Sequence, residues 1–130
     1  MKRTFTVAAA LIAALSLAMP AAGIAGKTKK VKVVDDYYSP TKVTVKKNKQ
    51  VAFKWDKNNL NTHNVVMKKG PKGVKKTKKP CAKGKITKCN KSAAGSIGIN
   101  FKPTFNKPGT YKFTCTIHPT VMNMTVKVKK

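Results

Sequence analysis

Val31 and Val33 flank Lys32, Val43 and Val45 flank Thr44, and Val51, Phe53 and Trp55 are separated by Ala52 and Lys54. The same alternation returns in Tyr111, Phe113 and Cys115, and again in Met124, Val126 and Val128. A repeat of two places one set of side chains on one side of an extended backbone, and here β-branched and aromatic residues fill that set. Turn-forming pairs separate the runs: Ser39-Pro40, Lys47-Asn48, Asn58-Asn59, Gly70-Pro71 and Pro108-Gly109. No segment of this region has helical periodicity. Short half-buried strands with polar outer positions predict an all-β fold, an antiparallel sandwich or barrel. Lysine on the outward positions favours solubility and discourages edge-to-edge pairing, so many of these lysines need no other role.

Before the strands, Lys2 and Arg3 precede an uncharged apolar stretch from Phe5 to Ala18, followed by the small residues of Pro20 to Ala25. That order reads as a secretory signal peptide over residues 1–25. The apolar stretch is shorter than the roughly 20 residues a spanning helix needs. The mature chain, 26–130, is expected to be a single exported domain with no transmembrane segment, secreted or held in the periplasm or cell envelope. Removing Lys2 and Arg3 from the 29 basic residues leaves 27 lysines against 3 aspartates, a formal charge of +24.

The scarcity of other titratable groups excludes whole classes of chemistry. Asp35, Asp36 and Asp56 are the only carboxylate side chains, and there are 2 histidines. Neither a paired-carboxylate hydrolase nor an all-carboxylate calcium or magnesium site can be assembled from them.

Lys68 to Lys91 holds 11 lysines in 24 residues together with glycines and prolines. It reads as part of a lysine-rich loop insertion, 68–96, too charged to pack. Cys81 and Cys89 lie within it. In an oxidising compartment their simplest use is a disulfide closing a small loop. The rival, a redox-active or metal-binding pair, lacks the CxxC spacing.

Pairing Cys81 with Cys89 leaves Cys115 over, on the inward phase of its strand. His118 follows three residues later and Met122 four beyond that, while His63 stands at another strand–loop junction. Taken singly, a buried cysteine is ordinarily a small hydrophobe. Taken together, two imidazoles, one thiolate and a thioether suit copper, with two nitrogens and one sulfur in a trigonal plane and a weak axial methionine. Zinc accepts the same residue types, but a structural zinc site prefers four strong ligands and only three are on offer.

The segments Val33 to Pro40 (Val-Val-Asp-Asp-Tyr-Tyr-Ser-Pro), Val51 to Trp55, His63-Asn64-Val65 and Phe105 to Pro119 run in an order that resembles the cupredoxins, in particular plastocyanin-like and azurin-like blue copper proteins. Lys68–Ser96 is the part that matches poorly. The resemblance implies a Greek-key β-sandwich with His63 at one strand end and Cys115, His118 and Met122 on the final loop. It also implies that Asn64 ties the ligand loops together near the thiolate. One departure concerns the axial position. Many relatives have methionine three residues after the second histidine, where this chain has Val121. Met122 is the expected ligand, Met124 its competitor in phase with the core strand, and an open or backbone-oxygen position the remaining possibility.

A site of this kind implies a one-electron carrier and not an enzyme, with one copper ion and His118 as the electron gate. The charge implies acidic redox proteins as partners, anionic envelope polymers or lipid head groups as further contacts, and a monomer. Nucleic acid is not expected, because arginine is absent from the mature chain and lysines are spread over strand faces. Copper delivery or buffering is the alternative role, and a polycationic envelope-binding module the third.

Overall fold

The computed structural model describes residues 27–130, and the expected leader lies outside them. Among the described residues there is no helix. The strands are β1 (Lys29–Val34), β2 (Tyr37–Ser39), β3 (Lys42–Lys46), β4 (Lys49–Trp55), β5 (Val66–Lys69), β6 (Lys83–Lys85), β7 (Asn100–Phe105), β8 (Gly109–Thr114) and β9 (Asn123–Lys129). They form two sheets, ordered β2-β1-β4-β7-β6 and β3-β9-β8-β5.

Each alternation read from the sequence points its apolar set into the space between these sheets. Val31, Val33, Phe53, Phe101 and Phe105 come from the first layer; Tyr111, Phe113, Met124 and Val126 come from the second, all buried. The aromatic rings interlock across the layers, with Phe53 5.8 Å from Phe113 and Phe105 edge-on to Tyr111 at 5.1 Å. Such tilted and edge-to-face contacts add about 0.5–1.5 kcal/mol each beyond area burial. Gly109, at the start of β8, has φ +135°, and a Cβ there would collide with the Pro71 ring. That close approach explains why the Pro108-Gly109 turn needs glycine.

The sheets differ from expectation in being mixed rather than antiparallel. β1 pairs in parallel with β4, β3 with β9 and β6 with β7. The reason is the path of the chain. From β1 it turns into β2, crosses to β3 in the other layer and returns as β4 beside β1. A strand that returns through the opposite layer can lie in the same direction as its predecessor.

The expectation that Lys68–Lys91 is too charged to pack is also corrected. Its lysine head groups face water while Ile86, Cys89 and Asn90 are buried. The Asn90 side chain accepts from the backbone and hydroxyl of Thr77 and donates to the carbonyls of Lys75 and Ile86, so one amide pins three turns of the insertion. Its β6 becomes the edge of the first sheet.

Cys81 and Cys89 are joined in a disulfide with a sequence separation of 8. Closing so short a loop restricts the unfolded chain by about 2–3 kcal/mol. We expect the double variant Cys81→Ser, Cys89→Ser to lose about that much stability in urea unfolding, while retaining the sandwich.

Candidate metal centre

At one end of the sandwich the β1–β2 turn, residues 57–65, residues 92–95 and the loop from Cys115 to Met122 converge. The β8–β9 connection explains much of the local geometry. The Cys115 N–H donates to the Met122 carbonyl at 3.0 Å, and the Met122 N–H donates to the His118 carbonyl at 3.0 Å. The Thr114 hydroxyl donates to the Met122 carbonyl at 3.1 Å. The loop is thereby a tight cap that fixes Cys115, His118 and Met122 relative to one another.

His63 enters from the other side of the chain. It exchanges two backbone hydrogen bonds with Gly95, and its ring is fully buried. The Trp55 indole N–H also donates to the Gly95 carbonyl, anchoring the segment to the end of β4. His63 Nε2 lies 2.7 Å from Asp35 Oδ1. An ionised carboxylate only accepts, so Nε2 carries the proton and Nδ1 presents a lone pair. That Nδ1 is buried with no hydrogen-bond partner. An orphaned buried nitrogen is costly unless something binds it.

The other donors face the same space. One donor atom each from His63, Cys115 and His118 lie within 4.8 Å of one another. Cys115 is buried and unpaired, and its Sγ is 3.7 Å from His118 Nδ1. Metal bonds of about 2.0 Å to nitrogen and 2.3 Å to sulfur, meeting at roughly 120°, hold their donors about 3.7 Å apart. The residues present therefore fit a three-coordinate N₂S metal site. The His63 and His118 rings lie 4.9 Å apart at 47°.

Asn64 joins the two ligand-bearing segments. Its Oδ1 accepts from the Thr116 N–H and its Nδ2 donates to Thr116 Oγ1, both at 2.8 Å. Its backbone carbonyl accepts the Tyr38 hydroxyl at 2.6 Å. Burial, with electrostatic repulsion from Cys115 as a smaller cause, pushes the Tyr38 phenol far above the ordinary tyrosine range, so it remains a donor. Met122 is fully buried within the cap. Met124 instead sits in β9, inward and directly opposite Phe113 on β8. Cys81 and Cys89 belong to the insertion and take no part in the cluster.

Three contributors escape sequence reasoning: Asp35, Asp36 and Thr116. Asp35 and Asp36 are the two loop residues of the β1–β2 hairpin, whose flanking pair is Val34 and Tyr37. Asp36 adopts φ 67°, which aspartate tolerates better than most residues. The turn directs Asp35 to His63 Nε2 and brings Asp36 Oδ1 to 3.8 Å from His118 Nε2. Asp35 also accepts the N–H groups of Leu60 and Asn61. These bonds, the Leu60 N–H first and the His63 ring next, hold its carboxyl below the usual carboxylate range. The available signal was that two of only three acidic residues in the chain stand side by side.

Comparison with known proteins agrees with this geometry. A family model described as copper binding proteins of the plastocyanin/azurin family matches residues 26–129. Amicyanin from Paracoccus versutus is similar in structure, with 23% identity, TM-score 0.57, and coverage of 83% of this chain and 87% of that one. An amicyanin variant described as a reduced Cu(I) form shares 23% identity at TM-score 0.57, over 85% of this chain and 90% of that one. A copper-containing nitrite reductase from Thermus scotoductus shares 21% identity at TM-score 0.60, covering 80% of this chain and 23% of that much longer one. No curated protein matches the sequence.

Proposed function

Because the chain belongs to the plastocyanin/azurin family of copper-binding proteins, we propose that it is an exported carrier of single electrons, in which His63, Cys115 and His118 would hold copper and Met122 would add a fourth, weaker donor. The observation that carries this reading is the buried, partnerless His63 Nδ1 sharing a space with a free thiol and a second imidazole. Copper bound there supplies a one-electron Cu(II)/Cu(I) couple.

The protein's own residues do the rest. Asp35 sets the His63 tautomer, and the Asn64–Thr116 pair locks the two ligand segments together. A donor set held this firmly changes little between oxidation states, which suits repeated electron transfer. Burial of His63, Cys115 and Met122 excludes water, while His118 keeps 25% of its side chain exposed and offers an edge for electron exit. Tyr37, Leu60, Ile117 and Val121 are exposed apolar side chains on the segments that build this end. They suit a short-lived contact with a redox partner, and the surrounding lysines would steer an acidic one. The buried donors also favour retention of copper over delivery.

The test is a titration of the purified protein with Cu(II). One equivalent is expected to produce an intense visible thiolate-to-copper absorption that bleaches on reduction and returns on reoxidation, with slow loss of copper to a chelator. A colourless protein, or rapid copper loss to the chelator, overturns the reading.

A further inference from the structure

The outer face of the four-stranded sheet carries a groove of about 710 Å³ that the metal centre does not use. Lys42, Lys68, Lys69 and Lys112 line it, Thr41, Asn123 and Thr125 add polar groups, and the buried Phe113 and Met124 complete the lining; no acidic side chain does. The strand register explains why the charges gather. Lys42 on β3 is opposite Thr125 on β9, Thr125 is opposite Lys112 on β8, and Lys112 is opposite Lys69 on β5. One row across the sheet therefore carries three lysines, two of them in directly facing positions. Like charges facing each other across strands are destabilising. Among the described residues, the aspartates make ion pairs only with the two histidines, so the row has no internal counter-charge.

The geometry points to this groove as a binding site for a linear, phosphate-bearing polyanion. Neighbouring strands lie about 4.8 Å apart, and same-face residues along a strand about 7 Å, so the ammonium groups can meet a polymer charged every few ångströms. The four lining lysines, with no arginine among them, meet phosphates as point charges. Thr41 and Thr125 hydroxyls and the Asn123 amide can donate to further phosphate oxygens. A planar lipid surface fits a concave groove poorly, and no exposed apolar side chain lines it to enter a bilayer. The one aromatic residue in the lining, Phe113, is buried, so nucleobases find no stacking platform. The polymer would engage the flank of the sandwich and leave the metal end free.

Long-chain inorganic polyphosphate is the probe, titrated against the full mature chain over a range of salt. The groove variant Lys42→Gln, Lys69→Gln, Lys112→Gln is expected to bind at least about tenfold more weakly, with a salt slope smaller by about 2. A variant of equal charge on the other sheet, Lys32→Gln, Lys54→Gln, Lys83→Gln, is expected to lose no more than about threefold. All six side chains are exposed in strands or half-open ladders, and relieving their repulsion should leave the unfolding temperature equal or higher. Equal losses in both variants overturn the site and leave only diffuse charge. Tighter binding to anionic phospholipid vesicles, or to mixed-sequence single-stranded DNA at equal phosphate concentration, overturns the assignment of the ligand. Binding by copper-free protein and by His63→Ala should match the parent, so the outcome is independent of the copper reading.

Discussion

Cys115→Ser should abolish the visible absorption of the copper-loaded protein and lower its Cu(II) affinity by more than about 100-fold, beyond the loss caused by removing an outer partner of a ligand. The thiolate supplies both the soft, strongly bonding donor and the charge-transfer transition, and a serine oxygen supplies neither. The substitution is nearly isosteric, and the Cys115 N–H bond to Met122 does not involve the side chain. The fold should therefore survive, and far-ultraviolet circular dichroism provides that control. Equilibrium titration against a competing chelator measures the affinity. Retention of the band would place the thiolate elsewhere, and the disulfide leaves no other candidate among the cysteines.

The second large effect is expected at Asp35, which touches no metal and acts through His63. Asp35→Ala should lower copper affinity about 10–100-fold, the usual consequence of removing the partner of a ligating imidazole. Asp35→Asn should be milder, because an amide oxygen can still accept from Nε2. Both should raise the reduction potential, since losing a negative charge beside the site disfavours the more positive oxidised form. Nitrogen-15 NMR of the metal-free variants should show the His63 ring sampling both neutral tautomers, a change that a loss of packing alone would not produce. The acid limb of stability has a definite sign too. The Asp35 carboxyl is lowered from 3.8 in the fold, so its contribution is present above that value and fades as pH falls through the folded-state value. In metal-free protein the Asp35→Asn variant should be less stable at neutral pH and less sensitive to acid below pH 4. An unchanged potential together with an unchanged tautomer would refute the role assigned to this carboxylate.

The sequence disclosed strand phases well because the period-two pattern is a local property of side-chain direction. Val31, Val33, Phe53, Tyr111 and Val126 all point inward as the alternation implied. Parallel pairing of β1 with β4 and of β3 with β9 was not legible, since it depends on which layer each connection crosses. Lys68–Lys91 misled for a different reason. Its average charge is high, but the few residues that anchor it, Ile86, Cys89 and Asn90, are a small minority whose burial no window average reveals. At the site, His63, Cys115 and His118 could be singled out because the residue types are scarce and their chemistry is restrictive. Asp35 and Asp36 could not, because their part depends on a two-residue hairpin aimed at rings 28 and 82 positions further along the chain.

The C-terminal strand β9 lies between β3 and β8, in the interior of its sheet and not at a rim. Until residues as late as Lys129 have been synthesised, β3 has no neighbour and the second layer is left in two pieces. Contacts that span most of the polypeptide form slowly. A growing chain should thus keep this layer open until β9 itself has been made, and only then close around the metal end.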